Sequence, residues 1–281
     1  MANRILRGVG RALAAYLNAE LPSYTPLATH SAEHLRRSLR PGDILLVEGN
    51  RRVSAAIKYL TQSTWSHAAL YVGSGVIAGP EDDPPVLIEA DTEHGVLAVP
   101  LSKYDGMHTR ICRAVGLSDA DRAAVIAYAE ARIGYQYDLK NIIDLARYLL
   151  PTPPVPTRFR RRLLSLGSGE PTRAICSTLI AQAFQSIGYP ILPAVIRRPS
   201  RPGDPRHCNT CETEVLRMRH HSLFTPRDFD ISPYFAIVKP TLESGFDYRQ
   251  VVWGEPCVAA ALPDGLAPAG DDHAGADQHR A

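Results

Sequence analysis

The chain predicts an α+β fold, and three observations carry that reading. Short apolar runs of strand character crowd the stretch from Ile44 to Val115. Two punctuated helical patterns follow them, one capped by Ser118 and stopped by Gly134, the other closed by Gly188. A last strand-like run, "FAIV", comes after both helices. Strands first and helices after them suit a small antiparallel sheet packed against a helix.

The elements follow in order. Pro41, Gly42 and Asp43 make a turn, and Ile44 to Val47 form a short buried strand. "SAAIKYLTQ" is a short helix, and "HAALYVG" and "VLIEA" are paired strands around the loop "AGPEDDPP". "GVLAVPLSKY" and "HTRICRAV" continue the series, with Pro100 implying an edge strand or a bulge. Asp121 stands three residues after Ser118, as a capping box requires. "YDLKNIIDLARYLL" is a further helix halted by Pro151, and residues 151–171 form a Pro/Arg-rich insertion. "AICSTLIAQAFQSIGYP" is an amphipathic helix with Leu179, Ile180, Ala183, Phe184 and Ile187 on its apolar face. A Pro/Arg-rich stretch comes next, and the region from "HCNTC" to "FAIV" mixes a helix, a loop and a strand.

The ends differ from the middle. Ile5, Val9, Leu13 and Tyr16 share a helix face opposite Arg4, Arg7 and Arg11, so residues 1–39 read as a basic amphipathic helix and a linker. Such a helix can lie on an anionic membrane surface or dock on its own domain. Residues 40–261 form the main domain, and residues 262–281 lack apolar periodicity and read as a disordered tail.

At 281 residues and 45% hydrophobic, the chain has material for a substantial core. A formal net charge of +2 gives no reason to expect a nucleic-acid partner. Only Lys58, Lys103, Lys140 and Lys239 are lysines, so the arginine clusters reflect composition. Five cysteines are no disulfide framework. With no secretory pattern and no apolar run long enough to span a bilayer, a cytoplasmic protein, at most peripheral at the inner membrane surface, is expected.

Two cysteine patterns carry chemistry. Cys176 lies at the start of its helix, where the helix dipole and free N–H groups favour thiolate, the attacking form of cysteine. A nucleophilic thiol needs a base, and the base an orienting group. His67 opens one strand and Glu89 ends its neighbour, so on one face the two could meet. Each also has a plain structural reading: a buried small hydrophobe, a strand-mouth histidine, a strand-end charge. The second pattern is Cys208 and Cys211, a C-x-x-C pair that His220 and His221 could complete as a structural zinc site. A plain surface loop fits the same residues.

The stretches "RPGDILLVEG", "STWSHAALYVG", "VLIEADTEHGV", "IGYQYDLKN", "AICSTLIAQAF" and "LFTPRDFDISPYFAIV" stand in the order seen in permuted papain-like amidases. The chain resembles the YiiX-like branch of the NlpC superfamily of cysteine peptidases, related to the lecithin–retinol acyltransferases. The resemblance spans roughly Arg40 to Lys239 and implies a circularly permuted papain-like fold, with the sheet residues preceding the cysteine helix. It places the family's histidine on His67, the polar third member on Glu89 and the nucleophile on Cys176. The family's tyrosine falls on Tyr137, with Tyr135 as a near alternative for holding the oxyanion.

The resemblance implies a cysteine hydrolase that cleaves an amide bond in a peptide, isopeptide or N-acyl lipid through an acyl-enzyme, with no cofactor. Two other classes use the same residues. One is an acyltransferase with a lipid or amine acceptor, and the other is an inert lipid- or peptide-binding module.

Overall fold

The computed structural model describes residues 19–20, 28–91, 94–135, 175–199 and 212–253. The chain divides into one unit of residues 1–245 and a second of residues 246–281. The N-terminal helix, "YDLKNIIDLARYLL", the 151–171 insertion, Tyr137, Cys208, Cys211 and the tail lie outside the described residues.

The first unit is organised by a six-stranded antiparallel sheet. Its strands are β1 (Ile44–Val47), β2 (His67–Tyr71), β3 (Pro85–Asp91), β4 (Gly95–Pro100), β5 (Thr109–Ala114) and β8 (Phe235–Val238), in the spatial order β4-β3-β2-β1-β5-β8. β1 lies near the centre and is buried at all four positions, which is why it reads as an unbroken apolar run. Its start is fixed by the turn before it. Asp43 accepts from the Arg40 backbone N–H at 2.8 Å and from Arg113 Nε and Nη2 at 2.9 and 2.7 Å. Gly42 in that turn has φ of 89°, and a Cβ there would meet Arg122 Cγ at 2.9 Å, so only glycine fits.

Both faces of the sheet are covered. On one, Leu46, Leu70 and Ile88 pack against Leu179, Ile180 and Phe184 of helix α4 (Ile175–Ser186) and Val125 of α3 (Asp119–Glu130). On the other, Leu45, Leu87 and Ile111 pack against Leu35 and Leu39 at α1 (Ala32–Ser38). α1 falls in what the sequence marks as linker; Ser31 caps it by accepting from the His34 N–H at 3.3 Å. α2 (Arg52–Thr61) follows β1. β4 is an edge strand ending at Pro100, as that proline implies, and a register shift lies at Pro85/Leu87 opposite it.

One part of the chain departs from the sequence reading. The stretch marked only by prolines and arginines contributes β6 (Ala194–Pro199), which pairs with β7 (Glu212–Arg217) as a separate two-stranded sheet. Val195, Ile196, Val215 and Leu216 supply β-branched and apolar cross-strand pairs, and Arg197 stands opposite Glu214. The prolines stand just before the strand and at its last residue, where a missing N–H costs least. α5 (Pro226–Asp230) carries a capping box between Thr225 and Asp228, and α6 (Pro240–Glu243) follows β8. In the second unit, Asp247 accepts from the Arg249 N–H and starts a short 3-10 turn, Tyr248–Gln250.

Candidate active site

β2 and β3 set the first contact. Ala69 stands directly opposite Glu89, and His67, two residues back, shares that face, so imidazole and carboxylate are diagonal neighbours. His67 Nε2 lies 3.0 Å from Glu89 Oε2. Glu89 has no solvent exposure, although it interrupts an apolar run. A buried carboxylate persists only when every lone pair is used.

The remaining partners come from the turn after β4. Pro100 ends that strand, and Leu101–Tyr104 form a single 3-10 turn. Three residues per turn put Leu101 and Tyr104 on the same side, and both are buried. Tyr104 OH thereby donates to Glu89 Oε2, and Lys103 Nζ pairs with Oε1. The Tyr104 ring also stands 6.1 Å from the His67 ring, centroid to centroid.

Helix α4 brings the sulfur. Leu179, Ile180, Ala183 and Phe184, all fully buried, anchor the helix, which runs across β2 and β3. Cys176, on the first turn, is buried at 5% exposure. Its sulfur lies 3.9 Å from Ser177 Oγ, and the His67 side chain and the Ala68 backbone N–H are near enough to favour its ionised form. Glu89 occupies Nε2 of His67, so Nδ1 is the ring nitrogen the carboxylate does not engage.

The electrostatics follow from this packing. Burial alone would raise the Cys176 thiol, but the His67 charge and hydrogen bond, the Ala68 N–H and the Ser177 hydroxyl outweigh it and pull the thiol below its ordinary value. Burial alone would lower His67, yet Cys176 and Glu89 raise it to about 10. Burial likewise opposes ionisation of Glu89, and His67 and Lys103 bring it down to about 2. Tyr104 is pushed well above 10, first by burial and then by Glu89 and Cys176, so it remains a protonated donor. Together these favour a thiolate–imidazolium pair at neutral pH. Cys112 is the contrast: sealed in the core, its thiol is pushed up by burial.

Residues 38–148 match the family described as permuted papain-like amidase enzyme, YaeF/YiiX, C92 family. That match covers less than half of the chain and likens it there to the permuted papain-like amidases. The enzyme is thus of the cysteine-peptidase hydrolase type. His67 and Glu89 fall inside the matched span and Cys176 beyond it. A solved structure titled metalloprotein yiiX, from Escherichia coli O157:H7, is similar at 16% identity and a TM-score of 0.41, over 72% of this chain and 97% of that one. No curated protein matches.

The other candidate residues fare differently. Tyr135 is pinned by its backbone: the Val96 N–H donates to its carbonyl at 2.9 Å, and the Gly134 N–H donates to the Val96 carbonyl at 2.8 Å. The residue is 62% exposed. Tyr137, Cys208 and Cys211 lie outside the described residues. His220 and His221 stack edge to face at 4.0 Å, and His220 Nδ1 meets Ser222 Oγ at 2.6 Å. Among the described residues, no group of three His, Cys, Asp or Glu is placed to hold a metal, and no helix is long and apolar enough to cross a membrane.

Sequence reasoning missed Lys103 and Tyr104, read there only as part of a strand series. One signal was present: Lys103 is among the few lysines in an arginine-rich chain, just past a strand-ending proline.

Proposed function

We propose that this enzyme hydrolyses an amide bond through an acyl-enzyme, with Cys176 as nucleophile, His67 as general acid–base and Glu89 as the group that orients His67. The observation that supports it most is the 3.0 Å contact of His67 with the sealed Glu89 carboxylate, beside a Cys176 thiol that the same His67 lowers despite burial. The reading takes the fold as circularly permuted papain-like, because the histidine and glutamate strands precede the cysteine helix.

The thiolate attacks the amide carbonyl carbon, a C–S bond forms, and the carbonyl π pair moves onto oxygen. Collapse breaks the C–N bond, and the leaving nitrogen takes its proton from His67. Water then attacks the thioester, giving its proton to His67 and releasing a carboxylic acid and the thiolate. Backbone N–H groups at the start of α4 and a phenol, from Tyr137 or Tyr135, would stabilise the oxyanion. Glu89 keeps Nε2 protonated throughout, so Nδ1 does the proton work.

The test is a panel of carbonyl-directed electrophiles carrying peptide, isopeptide-mimicking and N-acyl chains, read by intact mass. A single adduct on Cys176, lost in Cys176→Ser, is expected, and the chain preferred names the substrate class. Modification of Cys176 only after denaturation would refute the assignment.

A further inference from the structure

The carboxylate that orients His67 is itself gripped from its far side. Lys103 Nζ pairs with Glu89 Oε1, while His67 Nε2 and Tyr104 OH share Oε2. We infer that Lys103 is a positioning residue for the hydrolase proposed above: its ammonium, backed by the Tyr104 hydroxyl, keeps the sealed Glu89 ionised and aimed at His67. The inference rests on that reading of Cys176 and His67.

The physical case starts from burial. Glu89 has no exposure, and an ionised carboxylate so placed sheds its charge unless opposite charge and donors meet it. It could do so by taking a proton from solvent or from His67. Either route removes the charge that holds the imidazolium, and with it the thiolate. Among the described residues, the charged and titratable groups facing Glu89 are His67 from β2, Lys103 and Tyr104 from the 3-10 turn, and Cys176 from α4, which acts through His67. From β4, the residue opposite is Leu97, which offers no charge. Among the described residues, Lys103 is therefore the one cation on Glu89 besides the catalytic imidazole.

Direct repulsion between Lys103 and His67 works the other way. The ammonium disfavours the imidazolium by simple Coulomb interaction, but it sits on the opposite carboxylate oxygen with the negative charge between the two. It is also 37% exposed on its side chain, so water screens it more than it screens Glu89. Its dominant effect is on the sealed partner. A lysine suits this geometry: one compact charge on a flexible stem can reach the carboxylate while its other donors stay hydrated.

The experiment follows the rate of iodoacetamide alkylation at Cys176 across pH, by peptide mass spectrometry. The proteins are the unaltered chain, Lys103→Met, Lys103→Arg, Tyr104→Phe and His67→Ala, each checked for native near-ultraviolet circular dichroism. Met keeps the stem and drops the charge. Its acid limb should therefore move upward by about one pH unit or more, the usual effect of removing an adjacent opposite charge. Arg should restore the limb, and Tyr104→Phe should move it the same way by less.

A Lys103→Met profile superimposed on the unaltered one overturns the inference. If Lys103→Met does not fold, an unmoved limb in Tyr104→Phe does so instead. Slowed alkylation in His67→Ala beside an unmoved Lys103→Met limb would sink the inference alone. An unchanged rate in His67→Ala would sink the proposed dyad as well.

Discussion

His67 Nε2 and Glu89 Oε2 meet at 3.0 Å across two antiparallel strands, although the two residues are not directly opposite. Ala69 holds the position facing Glu89, and its small side chain leaves the diagonal open. The contact fixes which imidazole nitrogen carries the proton. With Nε2–H donating to a carboxylate, Nδ1 is the atom left to exchange a proton with sulfur.

The first prediction concerns which thiol reacts. Cys176 is drawn below the ordinary thiol value by His67 despite its burial, whereas Cys112 is pushed up by burial among core side chains. At pH 7 and limiting iodoacetamide, Cys176 should be alkylated at least about tenfold faster than Cys112, since one pKa unit is a factor of ten in thiolate. Peptide mapping after a short pulse measures the ratio. Equal labelling would mean that the imidazole does not activate the sulfur.

Replacing His67 by alanine removes the base, the counter-ion and the leaving-group acid together. Turnover should fall by about 10²–10⁴-fold, the range general acid–base assistance supplies. The fold should survive, because His67 lies at a strand end and the core packing here is carried by Ala68 and Leu70 of β2 and by Val72 just after it. Kinetics beside circular dichroism separate the two effects; lost activity with lost structure would say that His67 is a folding residue.

Much of this arrangement is legible in the residues. A charged residue inside "VLIEA" and a histidine at the mouth of "HAALY" each demand a polar partner, and the period-two geometry of paired strands lets them supply one another. The apolar spacing of Leu179, Ile180, Ala183 and Phe184 likewise announces a helix buried on one side. What stays hidden is non-local. Whether Lys103 and Tyr104 reach Glu89 depends on a 3-10 turn folding back over β3, and no periodicity encodes that direction. The strand Ala194–Pro199 is masked by its own prolines, since only its pairing with Glu212–Arg217 shows that both lie where no ladder bond is lost inside. Helix α1, at seven residues, is too short for a periodic signal and is betrayed only by Ser31.

A third prediction tests the platform under the sulfur. Phe184 is fully buried on α4 and packs edge-on against Phe235 at 5.3 Å and against Tyr189 at 5.5 Å. Phe184→Ala should cost about 3–5 kcal/mol, as truncation of a buried aromatic ring does. Because this ring ties the cysteine helix to the sheet, the rate of Cys176 alkylation should change at lower urea than the global transition. Urea melts beside labelling rates would show it. A cost below about 1 kcal/mol would place the helix elsewhere.

The last prediction concerns acid stability. Burial opposes ionisation of Glu89, but His67 and Lys103 hold it down to about 2 in the folded chain, against an ordinary carboxylate value of 4.5 when unfolded, so the unfolded chain binds the extra proton first as pH falls. Its contribution is therefore fully present above about pH 4.5 and is lost as pH falls through about 2. His67 has the opposite sign. Raised to about 10 from 6.5, it contributes fully below pH 6.5 and less as pH rises through 10. The pair is thus jointly satisfied between about pH 4.5 and 6.5, the window bounded by those two unfolded values. Glu89→Gln should lower the melting temperature within that window and flatten its fall below pH 4.5, because the amide has no proton to take up. It also leaves Lys103 without its carboxylate, so the loss should be several degrees for a unit of this size. Thermal melts from pH 2.5 to 8 on both proteins decide it. If the acid limbs of the two curves keep the same slope, Glu89 takes up its proton alike in the folded and unfolded chain, and His67 and Lys103 do not hold it as an anion.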